Sequence, residues 1–313
     1  MKLLAINIPT YERFHTFCSV LMSINNSLNL LNNDDRDKIL INIVDNNSNS
    51  YENKKEFIEK LDNAHLYSIF KNPSNIGGDL NILKCALLSR NNTIYTWILG
   101  DDDPIALHSL NIIVPILKRK LYDIVICGHG DNYNKVRNEG LTFNSYPNYF
   151  KHLLVKGKEF NSISHTLISC NIFKSKIFDE SYALYCLNNV TKRSNLTANF
   201  CHMYGILGGS FANDVSPILI INEPVLQHST REEFEVDISE QIKVIYAQYL
   251  IWLCFNCGVS VSSLASLKSK ALLYNFWWIY EFRNRLHMKF SKLIYKLLGA
   301  QFHGKLKKIW NKS

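Results

Sequence analysis

Five short runs in the N-terminal half are almost continuously apolar and rich in Ile, Val and Leu: residues 3–9 (LLAINIP), 39–44 (ILINIV), 66–70 (LYSIF), 94–99 (IYTWIL) and 123–127 (DIVIC). Runs of this length without polar alternation fit parallel strands buried on both faces. Helix-length segments lie between them, at 12–31, 51–61, 79–88 and 107–120. Strand and helix in alternation predict a doubly wound α/β domain around a mostly parallel sheet. Further on, 164–170 (SHTLISC) reads as a strand with Ile172, Phe173 and Lys174 after it, and 217–221 (PILII) as the last strand. No internal repeat is visible, and no linker rich in Pro, Gly or Ser divides the chain. The charged stretch 231–237 leads into helices, so the α/β domain is expected over 1–235 and a helical extension over 236–313.

In sheets of this kind ligands collect outside the carboxyl ends of the strands. Three of those ends are unusually polar: Pro9-Thr10-Tyr11, Asp45-Asn46-Asn47-Ser48 and Gly100-Asp101-Asp102-Asp103. One crevice would hold all three. Three adjacent carboxylates repel one another, and a divalent cation or a ligand's positive field relieves that repulsion. Oxygen-only ligands favour magnesium or manganese, which bridge to phosphate oxygens. The plainer alternative is an Asp run that solvates a turn or caps the helix starting near Leu107. Asn75-Ile76-Gly77-Gly78-Asp79 makes a turn and a helix start, whose glycines either admit a ligand close to the backbone or simply turn the chain. No GxxxxGKS or GxxxxGKT loop occurs, and Gly128-His129-Gly130 does not extend to GxGxxG. Ordinary ATPase and NAD-dehydrogenase chemistry loses support accordingly.

Four segments taken together carry a resemblance: IPTYER at 8–13, IVDNNS at 43–48, NIGGDLN at 75–81 and ILGDDD at 98–103. In order and spacing they resemble the nucleotide-sugar domain of family 2 glycosyltransferases, and within that family the bacterial O-antigen sugar transferases of the abequosyltransferase type. The resemblance implies the GT-A fold, with 1–127 as the nucleotide-sugar half and 128–235 as the acceptor half. It also implies inverting transfer of a sugar from a nucleotide diphosphate donor to a glycolipid or polysaccharide precursor of the lipopolysaccharide kind, assisted by manganese or magnesium. Carried over by position, Pro9, Thr10 and Tyr11 line the base and ribose pocket, Asp45 accepts a hydrogen bond from the base, and Asn75 and Gly77 belong to the nucleotide site. Asp102 is the principal metal ligand, Asp101 faces the ribose or the metal shell, and Asp103 faces the acceptor or sugar side. The family's usual DxDD pattern would place its first Asp where this chain has Gly100, so the metal motif departs from the pattern.

Where the family commonly carries Glu-Asp, this chain has Cys201-His202, near the start of a helix expected from residue 197. Inversion by direct displacement needs one base within hydrogen-bond reach of the acceptor hydroxyl, and an imidazole titrating near neutrality meets that need. His202 is the expected base, with Asp179 and Glu180 as rivals; a helix histidine satisfied by packing is the alternative. In the loop after the last strand, His228 and Arg231 are candidates by position for touching the metal or the pyrophosphate. The competing reading is a GT-A domain that binds nucleotide sugar or glycan without turnover, motivated by Gly100 and the missing Glu-Asp pair. Nucleotidyl transfer, which shares the metal and nucleotide logic, stands third.

Charge changes the picture only at the C-terminal end. The chain carries +8 overall, and residues 282–313 hold nine Lys or Arg and no acid, which leaves the remainder close to neutral. Arg285, Lys289, Lys292 and Lys296 share one helical face, beside an apolar face of Leu286, Phe290, Leu293 and Leu297. Such a helix either lies on an anionic lipid surface or docks on the domain with its lysines in water. No RNA- or DNA-binding motif accompanies it, so nucleic acid is not expected as a partner. Residues 244–267 carry no charge, but Gln248, Asn256 and four serines favour a buried helix with a turn near Gly258 over a membrane span. The eight cysteines include one CxxC, Cys254 and Cys257, a pattern that fits reduced thiols better than a zinc site or a redox pair. Met1 runs almost directly into the first strand, which predicts no secretory signal peptide. The expectation is a cytoplasmic protein, peripheral on the inner face of a bacterial plasma membrane, with a nucleotide sugar and a lipid-linked glycan as partners.

Overall fold

Apolar residues on both faces of β1 (Lys2–Thr10) and β2 (Ile39–Asp45) force these strands into the middle of a sheet covered on two sides. A computed structural model of the chain describes residues 1–129, 140–145, 148–149, 168–186, 201–211 and 216–227. Between and after the first two strands come α1 (Phe14–Asn29), the short α2 (Asn33–Arg36), α3 (Tyr51–Glu59), β3 (Tyr67–Lys71), α4 (Gly78–Leu88), β4 (Thr93–Ile98), α5 (Ser109–Lys118) and β5 (Ile124–His129). The acceptor half contributes β6 (Leu141–Phe143), β7 (Asn171–Lys174), α6 (Glu180–Cys186), α7 (Cys201–Phe211) and β8 (Ile218–Leu226). Among the described residues these strands form one eight-stranded sheet, ordered β3-β2-β1-β4-β7-β5-β8-β6.

Pairing is parallel from β3 through β4 and again between β5 and β8. β7 runs antiparallel to both β4 and β5, and β6 antiparallel to β8. One face is covered by α1 and α5, whose Phe17, Val20, Leu21, Ile113 and Val114 pack with Leu4, Ile6 and Ile8 of β1. On the other face Ile82, Leu83 and Ala86 of α4 meet Ile98, Ile126, Phe173, Phe178 and Ile206. The core is not wholly apolar. Asn7, in the middle of β1, donates to the Cys85 carbonyl at 2.6 Å and to Ser89 Oγ at 2.7 Å, and accepts from Asn42 at 2.8 Å. Buried amides survive in a sheet interior only when so satisfied, and this trio fixes α4 against the two central strands.

The five N-terminal strands and their four intervening helices fall where the apolar pattern places them, and the doubly wound α/β reading holds. Two expectations need correction. The 164–170 run is not a strand over its described part: Ile168–Cys170 is a short 3-10 turn, and the strand is Asn171–Lys174. Side-chain hydrogen bonds replace the ladder there, since Trp97 Nε1 donates to the Ser169 carbonyl at 2.7 Å and the Gly100 amide donates to Ser169 Oγ at 2.8 Å. The last strand runs on to Leu226 instead of ending at residue 221, because it stays paired with Gly128 and His129 through two register shifts. Residues 228–313 lie outside the described residues, and with them His228, Arg231, the domain end near Glu235, the uncharged 244–267 segment, the CxxC and the basic tail. Among the described residues no helix is long and apolar enough to cross a membrane. Cys18, Cys85, Cys127 and Cys170 are free thiols, and burial raises the last three far above the ordinary thiol range.

Candidate active site

The strand order 3-2-1-4 reverses direction at β1, so a crevice opens between the carboxyl ends of β1 and β4. Register places the polar ends side by side: Thr10 pairs with Asp45 across β1 and β2, and Asn7 with Ile98 across β1 and β4. The three polar segments therefore share one crevice. Thr10 Oγ1 donates to Asp101 Oδ2 at 2.7 Å, directly across the switch point.

Two cations organise the carboxylates. Arg13, in the turn between β1 and α1, pairs its Nη2 with Asp101 Oδ1 and its Nη1 with Asp102 Oδ2, the latter at 2.7 Å. Lys54 of α3 is wholly buried and donates to Asp45 Oδ2 at 2.8 Å, to Thr10 Oγ1 at 3.1 Å, to Ser48 Oγ at 3.1 Å and to the Tyr11 carbonyl. Asp45 accepts further bonds from the Ser48 amide at 2.7 Å and the Ser48 hydroxyl at 2.6 Å. A buried ammonium with four acceptors and a buried carboxylate with three donors satisfy each other's charge and hydrogen-bond demand. Lys54, Asp45, Thr10 and Asp101 thus form one continuous chain from α3 to the end of β4.

The NIGGDLN turn is attached to this floor by asparagines. Asn46 donates to Asn75 Oδ1 at 2.7 Å and accepts from the Ile76 amide at 2.9 Å and from Asn72 at 3.0 Å. Asn81 accepts from Asn72 at 2.9 Å and donates to the Val44 carbonyl at 3.0 Å. Gly77 caps α4 with φ 85° and ψ 161°, a conformation that an L side chain resists. Asn75, Gly77 and Tyr11 are exposed, and Pro9 is half-buried. Burial raises the carboxyl of Asp79, in the first turn of α4, to about 6.

At the end of β4, Asp101 is fully buried, Asp102 is 9% exposed and Asp103 is half-buried. Asp103 Oδ2 accepts from Ser169 Oγ at 2.6 Å. A Cβ on Gly100 would stand 2.9 Å from Asp102 Oδ1, 2.9 Å from Asp103 Oδ2 and 3.3 Å from Ser169 Oγ. The space that a DxDD pattern would give to its first Asp is here filled by the second and third carboxylates.

On the acceptor side α7 lies against the segment that carries Asp179. The Asp179 amide donates to the Gly205 carbonyl at 2.9 Å, and a Cβ on Gly209 would fall 1.2 Å from the Ile177 carbonyl oxygen, so the helix rests directly on that backbone. His202 occupies the first turn of α7 with its side chain buried, Asp179 is half-buried, and Glu180 is exposed at the start of α6. The structure brings two of the expected base candidates, His202 and Asp179, to one locality.

The donor set suits a hard cation in kind. Magnesium and manganese take oxygen ligands, commonly one or two carboxylates with phosphate and water completing the shell. Asp101 and Asp102 already share the Arg13 guanidinium. Among the described residues no group of three or more His, Cys, Asp or Glu side chains gathers as a ligand set.

No protein-family model matches the chain. Abequosyltransferase RfbV of Salmonella typhimurium is 28% identical over 198 residues, covering 58% of this chain and 56% of the relative, so the match spans little more than half of that protein's length. TarS of S. aureus, in the structure of its residues 1–349, superposes over 90% of this chain and 78% of its own, with a TM-score of 0.51 at 13% identity. The chain has the GT-A fold. Mannosyltransferase PcManGT of Pyrobaculum calidifontis, in complex with GDP-Man and manganese, covers 99% of this chain and 88% of its own at 12% identity and a TM-score of 0.49. The likeness to sugar transferases of the abequosyltransferase type, carried by four motifs in the sequence, is borne out by the first of these matches.

Two residues of the GT-A crevice escaped the sequence reading. Arg13 was present in the IPTYER segment, but nothing in the local sequence pairs it with residues 101 and 102. Lys54 had a signal: it lies one turn before Ile58 on the face of α3 that is buried, where a solvated lysine does not belong.

Proposed function

We propose that the protein is an inverting glycosyltransferase that moves a sugar from a nucleotide diphosphate donor to a glycolipid or polysaccharide precursor of the lipopolysaccharide kind, with the help of a divalent metal. The observation that carries this reading is the Thr10–Asp101 hydrogen bond across the β1/β4 switch point, which unites the nucleotide-side and carboxylate-side motifs in a chain similar to an abequosyltransferase. In this reading Pro9, Thr10, Tyr11, Asn75 and Gly77 line the nucleotide side; Asp45, expected to meet the base itself, is fully buried with its carboxylate engaged by Lys54 and Ser48, and it supports that side from below. A magnesium or manganese ion held by Asp102 and Asp101 would stabilise the negative charge that develops on the departing nucleoside diphosphate. His228 is a further candidate ligand by position in the sequence.

Inversion in one displacement requires the acceptor hydroxyl to attack the anomeric carbon from the face opposite the leaving phosphate, with a base to take its proton. His202 is our choice for that base, Asp179 and Glu180 are its rivals, and Asp103 faces the acceptor or sugar side. The acceptor is a lipid-linked glycan. The enzyme works in the cytoplasm, with the basic tail at the inner membrane surface, and takes no nucleic acid partner.

A second reading has an observation in its favour: Arg13 holds both carboxylates and His202 is buried, as suits a GT-A domain that binds nucleotide sugar without turnover. One experiment separates the two at the donor step. Thermal-shift measurements with UDP, CDP, GDP and dTDP, with and without manganese, are made on the wild type and on Asp102→Ala. Manganese-dependent stabilisation by one nucleotide, lost in the variant, supports the metal-assisted donor site. Stabilisation that ignores both manganese and the substitution supports binding without metal chemistry, and no shift with any nucleotide overturns the donor site itself.

A further inference from the structure

We propose that Arg13 is a resident counter-cation of the Asp101–Asp102 pair, and that a divalent metal reaches these carboxylates only by displacing it. The proposal rests on the metal-assisted reading above and adds the residue with which the metal competes.

Asp101 is fully buried and Asp102 nearly so, and adjacent carboxylates in such surroundings demand positive charge. Arg13 answers both with one guanidinium, an Nη to each carboxylate. Lys54, a second cation at this end of the sheet, is already committed. It pairs with Asp45, and it reaches Asp101 only through the Thr10 hydroxyl.

The guanidinium and a metal ion need the same oxygens. Asp101 Oδ1 and Asp102 Oδ2 face Arg13, and an ion drawing on them would stand against a like charge within a few ångströms. Arg13 is free to leave. Its side chain is 50% exposed, so rotation about its own bonds carries the charge into water, whereas Lys54, with no exposure, has no such path. Once displaced, a planar guanidinium is well suited to pair with the oxygens of a donor diphosphate. The carboxylates thereby exchange Arg13 for a metal as the phosphates arrive.

The test is manganese binding by the full-length protein without nucleotide, read from the free-ion electron paramagnetic resonance signal, with melting curves to verify folding. Arg13→Gln keeps a polar, hydrogen-bonding side chain of shorter reach and removes the charge, and it should bind manganese about tenfold or more tighter than wild type. Arg13→Lys keeps the charge but not the two-pronged contact, and it should tighten binding by a smaller factor; it decides the matter should Arg13→Gln not fold. Asp102→Asn should weaken binding, which ties the signal to this site. Equal or weaker manganese binding in the folded Arg13 variants, with the wild type binding through Asp102, overturns the competition and leaves the metal reading intact. No uptake by wild type or any Arg13 variant overturns both.

Discussion

Lys54 donates to Asp45 across 2.8 Å with neither side chain exposed to solvent. This pair lies beneath the crevice and joins α3 to the ends of β1 and β2, so its loss is expected to be felt in stability first and in nucleotide binding through it. Lys54→Met leaves the Asp45 carboxylate buried without its cation and should lower the unfolding free energy by about 3–5 kcal/mol. Lys54→Met combined with Asp45→Asn removes the stranded charge and should recover at least about 1 kcal/mol of that loss. Urea unfolding of the two single variants and the double variant measures both quantities. Strictly additive losses would mean that the two side chains do not act as a pair.

Gly100 separates stability from site geometry. An added Cβ meets only the outer atoms of Asp102, Asp103 and Ser169, which shift more readily than backbone. Gly100→Ala should therefore move the melting temperature little, by about 1 kcal/mol or less in stability, while turning the Asp102 carboxylate and weakening metal-dependent nucleotide binding. Gly100→Asp restores the DxDD spelling and should weaken it further, since a fourth carboxylate enters a space already filled by two. Isothermal titration of the stabilising nucleotide with manganese reads the effect. Tighter binding by Gly100→Asp would show that the departure from the pattern is a defect and not an accommodation.

How much of this was legible beforehand depends on the range of the interaction. The strands β1 to β5 and the helices between them announce themselves because burial on two faces needs unbroken apolar runs and burial on one face needs a helical stripe, both local properties. The convergence of Thr10, Asp45 and Asp101 was also accessible, because a doubly wound sheet always gathers its strand ends. Residues 168–170 misled because Ser169 exchanges ladder bonds for contacts with Trp97, Gly100 and Asp103, partners far away in sequence. The same holds for Arg13, whose carboxylates are about ninety positions away and carry no local mark of it. β6 and β7, at three and four residues, are too short for any period to register.

Asp79 should give the protein a pH dependence of its own. Burial raises its carboxyl from the ordinary value of 3.8 to about 6 in the folded state. Between these values the folded protein holds a proton that the unfolded chain has released, so stability falls as pH rises. The contribution is complete below about pH 4 and gone above about pH 6. Because the group is partly solvated, the loss is set at about 1 kcal/mol. Asp79→Asn cannot ionise and should lack this component, gaining on the wild type as pH rises from about 4 to about 7. Unfolding free energies of both proteins across that range decide it; parallel curves would assign the acid dependence to other groups.

His202 and Asp179 offer the sharpest test of the proposed chemistry, because the two lie where α7 meets the segment before α6 and differ in access. A base must come within hydrogen-bond reach of the acceptor hydroxyl in the complex, and its removal should slow the displacement by about 10²- to 10⁴-fold. A residue that only packs should instead reduce stability and leave turnover per folded molecule unchanged. His202→Ala is expected to abolish most transfer while the nucleotide-induced thermal shift persists, and His202→Gln, which preserves volume, should fail equally in transfer and retain more stability. Asp179→Asn should retain transfer if His202 is the base. The opposite pattern, normal turnover in His202→Gln with transfer lost in Asp179→Asn, would move the role to the half-buried carboxylate and leave the histidine as a packing residue of α7. Measuring turnover and melting temperature on the same preparations separates lost chemistry from lost fold.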